Sequence, residues 1–167
     1  VYKRQDLLYP LIKPYVHQIQ IGLEIDSWEV GMQNWTSGFE GEFCERTGYD
    51  LIKYLPAMTG KIVGSKEMTE RFLWDIRRVQ ADLLADNYYG EFRNLCNQYG
   101  LVSYCEPYDR GPMEELQIGS RVDGVMGEFW NGLSAIFQNN LMMRRTAKLA
   151  SSIAHINGQK VVGAEAY

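Results

Sequence analysis

The stretch NQYGLVSYCEP, residues 97–107, decides the fold class, because a helical pattern ends at Gly100 and a short apolar run then leads to Glu106. The stretch HINGQKVVGAE, residues 155–165, repeats this order of helix, glycine, apolar run and acid. Short apolar runs bounded by glycine or proline are typical of buried strands. Helices that alternate with such strands indicate parallel strands joined by crossover helices.

Two further apolar runs also lead to acids. IQIGLEID, residues 19–26, leads to Asp26 and Glu29, and RVDGVMGE, residues 121–128, ends at Glu128. Alternation alone leaves open a doubly wound sheet and a closed barrel, but acids at successive strand ends favour the barrel, whose active sites lie there. A full barrel needs about 250 residues. The expected fold class is therefore α/β, a partial (β/α)8 TIM-type barrel with roughly half of the barrel present.

Helical periodicity occupies the segments between these runs. From 66 to 84 apolar side chains recur at steps of three and four, which predicts an amphipathic helix. That stripe consists of Met68, Phe72, Ile76, Val79 and Leu83. Further helices are predicted over 87–99 and 139–156. The segment 30–65 contains several glycines and is expected to be a long loop with one or two short helices, and loops of this length are often functional.

Composition limits the classes of partner. Hydrophobic residues make up 46% of the chain and the net charge is −4, with no run of Lys or Arg. Neither a nucleic acid nor an anionic membrane surface is therefore expected as a partner. No apolar stretch approaches the roughly 20 residues that span a bilayer. Cys44, Cys96 and Cys105 show no metal-ligand spacing and are expected to be buried free thiols.

The two ends of the sequence suggest a piece of a longer protein. Residues Val1 to Gln5 match the translation of a transposon-type sequencing adapter and are expected to be an artefact. Residues 6–167 are then expected to be a fragment of one catalytic (β/α)8 domain. The isolated fragment is expected to be inactive, because half a barrel leaves two sheet edges unpaired.

Several carboxylates that face one cleft, with no Ser/His/Asp set beside them, suit acid–base chemistry. Glycoside hydrolysis needs one carboxyl group that is protonated and a second that is ionised. Indole faces provide apolar platforms for sugar rings, while amide and acid groups bind hydroxyls. The competing interpretation of each acid is a helix N-cap or a solvated surface group. From the residues alone the prediction is an α/β-barrel enzyme that uses carboxylates.

Several motifs resemble glycoside hydrolase family 106, the α-L-rhamnosidases. The most specific are IDSWEVGMQNWTSGFEGEFCERTGYD (25–50) and VDGVMGEFW (122–130), and CEPYDRGP (105–112) and VVGAEAY (161–167) follow the family in the same order. The resemblance implies a large, multi-domain bacterial enzyme with a (β/α)8 barrel and β-rich accessory domains. It also implies removal of terminal α-L-rhamnose from plant-type glycans, with inversion and with calcium at the active site.

The resemblance places the general acid at Glu29 and the general base at Glu128, with Glu106 as the alternative base. Trp28 is expected to form an apolar wall beside Glu29, which would keep that acid protonated. Inversion requires the two catalytic carboxyl groups to lie about 6.5 to 9.5 Å apart.

Other residues are assigned to binding by the same resemblance. Asp26, Glu106 and Glu165 are expected to bind sugar hydroxyls or calcium, and the calcium ligands are not assigned individually. Asn34, Trp35, Tyr108 and Trp130 are further candidate sugar contacts. For each of these four residues, a role in packing is an equal alternative.

Two alternatives remain open at this point. One is a barrel glycosidase with another sugar or a retaining mechanism, since a fold does not determine the substrate. The other is a carbohydrate-binding relative without activity, against which the presence of both Glu29 and Glu128 argues. The expected partners are a carbohydrate and the remainder of the same chain. By resemblance, the expected location is the periplasm or the exterior of a bacterium.

Overall fold

A computed structural model describes residues 2–129 and 141–166. In chain order the regular elements are α1 (Tyr2–Ile12), β1 (Gly22–Ile25), α2 (Phe39–Thr47), a 3-10 helix (Ile52–Thr59), α3 (Lys66–Leu84), a π-helical turn (Ala85–Gly90), α4 (Glu91–Gln98), β2 (Val102–Cys105), α5 (Glu115–Gly119), β3 (Gly124–Phe129), α6 (Leu141–Ile156) and β4 (Gly163–Ala166). None of the described helices is both long and apolar enough to cross a bilayer.

The described strands form one parallel sheet in the order β1-β2-β3-β4. Ile25 lies beside Cys105, Cys105 beside Val125, and Glu128 beside Glu165. The predicted alternation of helices and parallel strands is thus confirmed, and each of the four apolar runs contains a strand. Neighbours in space are also neighbours in sequence, whereas a doubly wound sheet reverses its strand order at a switch point.

One face of the sheet is covered by helices. Cys105 and Val125 are fully buried there against Ile118 of α5 and Ile153 of α6. At Gly127 the sheet and α6 approach so closely that an added Cβ would lie 2.9 Å from the backbone of Thr146. Only glycine fits at that contact, because backbone atoms cannot move aside as a side chain can.

The predicted helix over 66–84 is confirmed, with Ser65 as its N-cap. The Ser65 hydroxyl accepts a hydrogen bond from the backbone N–H of Met68 at 3.1 Å, which satisfies one of the free N–H groups of the first turn. Most of the predicted stripe packs against α2, but Met68 is 45% exposed. Met68 lies in the first turn of the helix, beside Gly64.

The predicted separate helix over 87–99 is wrong in its start. The chain passes from α3 through the π-helical turn directly into α4, so that helical structure runs without a break from residue 66 to residue 98. The predicted end is confirmed at Gly100, whose φ of +70° is the left-handed conformation that glycine adopts readily. The expectation of buried cysteines holds for Cys96 and Cys105 but not for Cys44, which is exposed on α2.

Candidate active site

The sheet face opposite the helices carries the acids that the sequence places at strand ends. Successive side chains of a strand point to opposite faces, so the burial of Ile25, Cys105 and Val125 against helices directs the alternate positions the other way. We call this surface the acid face. It consists of Glu24, Asp26, Glu106, Glu128 and Glu165.

Three of these acids converge at the carboxyl end of the sheet. One carboxylate oxygen from each of Asp26, Glu106 and Glu165 lies within 4.8 Å of the other two. Asp26 directly follows β1, Glu106 directly follows β2 and Glu165 lies in β4, so the parallel register brings together residues up to 139 positions apart (165 − 26). This geometry would allow the three carboxylates to share a single ligand.

Glu106 is the unusual member of this cluster. Its side chain is 1% exposed, and neither carboxylate oxygen accepts a hydrogen bond from the described residues. Burial raises the pKa of Glu106 to about 7; the Tyr108 hydroxyl partly opposes that rise, and Asp26 and Glu128 add to it. A buried carboxylate without hydrogen bonds costs stability unless it is neutral or meets a cation.

Tyr108 connects the cluster to Glu128. The Tyr108 hydroxyl donates a hydrogen bond to Oε1 of Glu128 at 3.0 Å. Burial and the adjacent carboxylates, Glu106 first, raise the pKa of Tyr108, so the hydroxyl keeps its proton and remains a donor. The backbone N–H of Glu128 donates to the hydroxyl of Thr146 at 3.0 Å. The predicted base is therefore held at both its carboxylate and its backbone.

Glu29 lies outside the cluster, in the loop that follows β1. Its side chain is exposed, and Ser27 donates a long hydrogen bond of 3.5 Å to its carboxylate. The Trp28 ring packs edge-on against Tyr88 and directly against Gly111, where an added Cβ would lie 2.7 Å from the indole. The indole N–H donates to the carbonyl of Gly31 at 2.6 Å. Trp28 thus anchors this loop, and Glu29 lacks the burial that the predicted apolar wall would give.

A family model described as alpha-L-rhamnosidase matches residues 17–167. The chain belongs to glycoside hydrolase family 106. The rhamnosidase of Novosphingobium sp. PP1Y has a similar structure, with a TM-score of 0.75 and 34% sequence identity over 87% of this chain. A protein of Formosa agariphila that carries the provisional name beta-glucuronidase is 50% identical over 143 residues, or 86% of this chain. The chain spans only 14% of the first protein and 12% of the second.

The remaining predicted contacts of this family 106 chain do not all lie on the acid face. Asn34 and Trp35 line a different cleft, between the loop after β1 and the end of α3, which includes no residue of the acid face. Trp130 lies outside the described residues. Among the predicted aromatic and amide sugar contacts that fall within the described residues, Tyr108 therefore lies beside the carboxylate cluster, whereas Asn34 and Trp35 do not.

Sequence reasoning missed Glu24, the fifth acid of this face. Burial, followed by the charges of Asp26 and Glu165, raises the pKa of Glu24. The signal was present, because Asp26 directly follows the strand and lies two positions after Glu24, so the alternation of the strand predicts that both share a face. It was overlooked because only acids after the strand ends were considered.

Tyr104 was overlooked in the same way. Its ring lies across the sheet between Gly22 and Gly124, where an added Cβ would come within 2.6 Å and 2.4 Å of the ring atoms. Because both positions are glycine, the Tyr104 ring can pack against the sheet on the side that carries the acids.

Proposed function

We propose that the protein containing this chain is an inverting glycoside hydrolase that releases terminal α-L-rhamnose from rhamnosylated, plant-type glycans. The observation that carries the proposal is the convergence of Asp26, Glu106 and Glu165 within 4.8 Å, beside a hydrogen-bonded Glu128, in a chain of family 106. The whole protein is several times longer than this chain if it resembles its relatives. Its activity is therefore proposed here for the complete enzyme.

The proposed mechanism uses two carboxyl groups in different roles. Glu29 donates a proton to the leaving oxygen, and the exposed position of its side chain leaves it accessible to a bound glycan. Glu128 accepts a proton from the attacking water, and the hydrogen bond from Tyr108 orients its carboxylate. The water attacks the face of the sugar opposite the leaving group, so the anomeric configuration inverts.

Glu106 is the second candidate for the base. Its pKa of about 7 lies near the range in which a general base is most effective. Its complete burial argues for a different role, because a water attacking the sugar would need to reach its oxygens. We therefore assign Glu106 to the cluster with Asp26 and Glu165.

Calcium fits this cluster. Ca²⁺ takes six to eight oxygen ligands and accepts carboxylates, waters and sugar hydroxyls among them. Asp26, Glu106 and Glu165 would supply the protein ligands, and the two Glu106 oxygens without hydrogen bonds support this assignment. When bound, calcium supplies a positive charge that can hold sugar hydroxyls. By holding the ion, the three side chains would help to position the sugar ring relative to Glu128.

A second candidate substrate is a β-glucuronide, favoured by the name of the Formosa agariphila relative at 50% identity. A uronic acid carries a carboxylate, and the acid face would repel it unless a cation lay between them. A neutral deoxy sugar such as rhamnose has no such conflict. Calcium in the cluster, as proposed above, would remove this repulsion, so the preference for the rhamnoside rests on the family and is decided by the comparison of substrates.

The test compares an aryl α-L-rhamnoside with an aryl β-D-glucuronide, using the complete enzyme with calcium. We expect turnover of the rhamnoside only, and NMR of the first product should show β-L-rhamnose, the inverted anomer. A first product with the α configuration would contradict the inverting mechanism. Turnover of the glucuronide alone would replace the proposed substrate.

We further propose that the enzyme acts on extracellular or periplasmic glycans of a bacterium. This proposal is supported by the family and by the bacterial source of both relatives. Retention of the enzyme in the cytoplasm of its host would contradict it.

A further inference from the structure

A second cleft, distinct from the acid face, opens where the loop after β1 meets the end of α3. Its volume is about 400 Å³, and its walls include Asn34, Trp35, Gln80, Asn87 and Tyr88. Ligand pockets in proteins typically measure about 300 to 1,000 Å³. We call this site the Trp35 cleft.

Trp35 presents an indole face to this cleft. The side chain is 50% exposed, although Trp is usually much more buried. Its ring packs at 5.3 Å against Phe39, which is 3% exposed and belongs to the core formed with α2. The indole is thus anchored from one side and open on the other. An anchored, accessible indole is a suitable platform for the C–H face of a sugar.

The polar wall of the Trp35 cleft is built by an unusual stretch of backbone. Asn87 and Tyr88 belong to the π-helical turn Ala85–Gly90. Single π-helical turns within α-helices are rare and are frequent at functional sites. From the preceding helix, the side-chain amide of Gln80 donates to the carbonyl of Asn34 at 3.1 Å and holds the loop in place. The cleft therefore combines one aromatic platform with amide groups that can bind hydroxyls.

The charge of the cleft favours a neutral ligand. Its charged lining residue, Glu42, forms an ion pair with Arg46 at 3.4 Å. The lining residues therefore offer neither a positive charge nor an unpaired negative charge that could select an ionic ligand. Neutral hydroxyls and apolar ring faces match what the cleft presents.

Tyr88, which lines the Trp35 cleft, packs against Trp28. Their rings meet edge-on at 6.2 Å. Tyr88 lines the Trp35 cleft on one side and, on the other, the space that contains Glu24 and Asp26. The Trp35 cleft therefore lies next to the loop that carries Glu29, and its lining residues include none of the acid face.

We propose that the Trp35 cleft binds a neutral saccharide unit of the glycan, beyond the sugar that is removed. This inference rests on the proposed function, since it assigns the glycan chain to a second site of the same enzyme. The cleft would retain long glycans and would contribute little to a substrate with a single sugar.

Trp35→Ala in the complete enzyme tests the inference, with Trp74→Ala as the matched control. Trp74 is also an exposed tryptophan, 63% exposed on α3, and it does not line the cleft. We expect Trp35→Ala to raise the KM for a neutral rhamnosylated tetrasaccharide about tenfold more than the KM for an aryl α-L-rhamnoside, because a stacking platform is lost. The control should leave the ratio of the two KM values unchanged. Equal effects of Trp35→Ala on both substrates would overturn the inference.

A direct binding measurement keeps this test independent of the proposed activity. The probe is the same tetrasaccharide after its rhamnose has been removed, titrated by calorimetry against wild type, Trp35→Ala and Trp74→Ala. We expect wild type and Trp74→Ala to bind it and Trp35→Ala to bind at least tenfold more weakly. If the wild type hydrolyses no rhamnoside but the three proteins show this binding pattern, the proposed function is wrong and the assignment of the Trp35 cleft as a saccharide site is retained. If the wild type does not bind the probe, the cleft assignment fails.

Discussion

Replacing Tyr108 by Phe removes one hydrogen bond at the proposed base and leaves the ring in place. The hydroxyl lies 3.0 Å from Oε1 of Glu128 and is buried. A hydrogen bond to a charged group contributes about 1.5 to 3 kcal/mol, which corresponds to a loss of about tenfold to a hundredfold in turnover if it is made in the transition state. The backbone contact should persist, because Tyr108 accepts a hydrogen bond from Trp28 through its carbonyl at 3.1 Å.

The pH profile provides a second readout. The Tyr108 hydroxyl holds down the pKa of Glu106, so its removal should raise the pKa of Glu106. Since Glu106 must be ionised to act as a calcium ligand, the acid limb of kcat on an aryl α-L-rhamnoside should move to higher pH. Turnover would then fall most at low pH and recover partly in alkaline buffer.

Tyr49→Phe is the matched control for this experiment. The Tyr49 hydroxyl also donates to a carboxylate, that of Asp75 at 2.8 Å, but it does so between α3 and the segment before it. Its loss should lower stability without moving the pH profile. If Tyr108→Phe retains wild-type turnover with an unshifted acid limb, the reasoning about Glu128 is refuted.

Further predictions concern the proposed carboxylates and one packing contact. Glu29→Gln and Glu128→Gln should each lower kcat by about a thousandfold or more. If Glu128→Gln keeps near-normal turnover and Glu106→Gln is inactive, Glu106 and not Glu128 is the general base. Calcium affinity, measured by calorimetry, should fall about tenfold from about pH 8 to about pH 6. The reason is that Glu106, whose pKa is raised to about 7, must lose its proton to act as a ligand. Equal affinities at both pH values would exclude Glu106 as a ligand. Gly127→Ala should destabilise the contact between β3 and α6 by about 1 to 3 kcal/mol and lower the Tm. The control is Gly41→Ala, on α2 with open space around it, which should be neutral or stabilising. Equal Tm values for the two variants would contradict the close packing of β3 against α6.

The strands were predictable because their signals are local. Each apolar run is short and bounded by glycine or followed by an acid, and Gly100 and Gly158 end helices immediately before two of them. The parallel arrangement follows from the helices between the strands. The convergence of Asp26, Glu106 and Glu165 could also be anticipated, since the carboxyl ends of parallel strands meet at one edge.

The contacts between side chains were not predictable from the sequence. The hydrogen bond from Tyr108 to Glu128 depends on the register of β2 against β3, which no local pattern specifies. Trp35 follows Glu29 by only six positions (35 − 29), yet the path of the loop places it in another cleft. Proximity in sequence therefore suggested that Trp35 belongs to the same site as Glu29, whereas the structure places it in a separate cleft.

The π-helical turn at Ala85–Gly90 has a consequence for engineering a more heat-resistant enzyme. Deleting one residue there would restore an ordinary α-helix between α3 and α4, a change that a stability-driven redesign would favour. The same deletion would rotate Asn87 and Tyr88 around the helix axis and away from the cleft they line. Gains in stability at such positions commonly reduce activity. In this segment, the sequence that gives the highest stability would therefore differ from the sequence that keeps the proposed saccharide site intact.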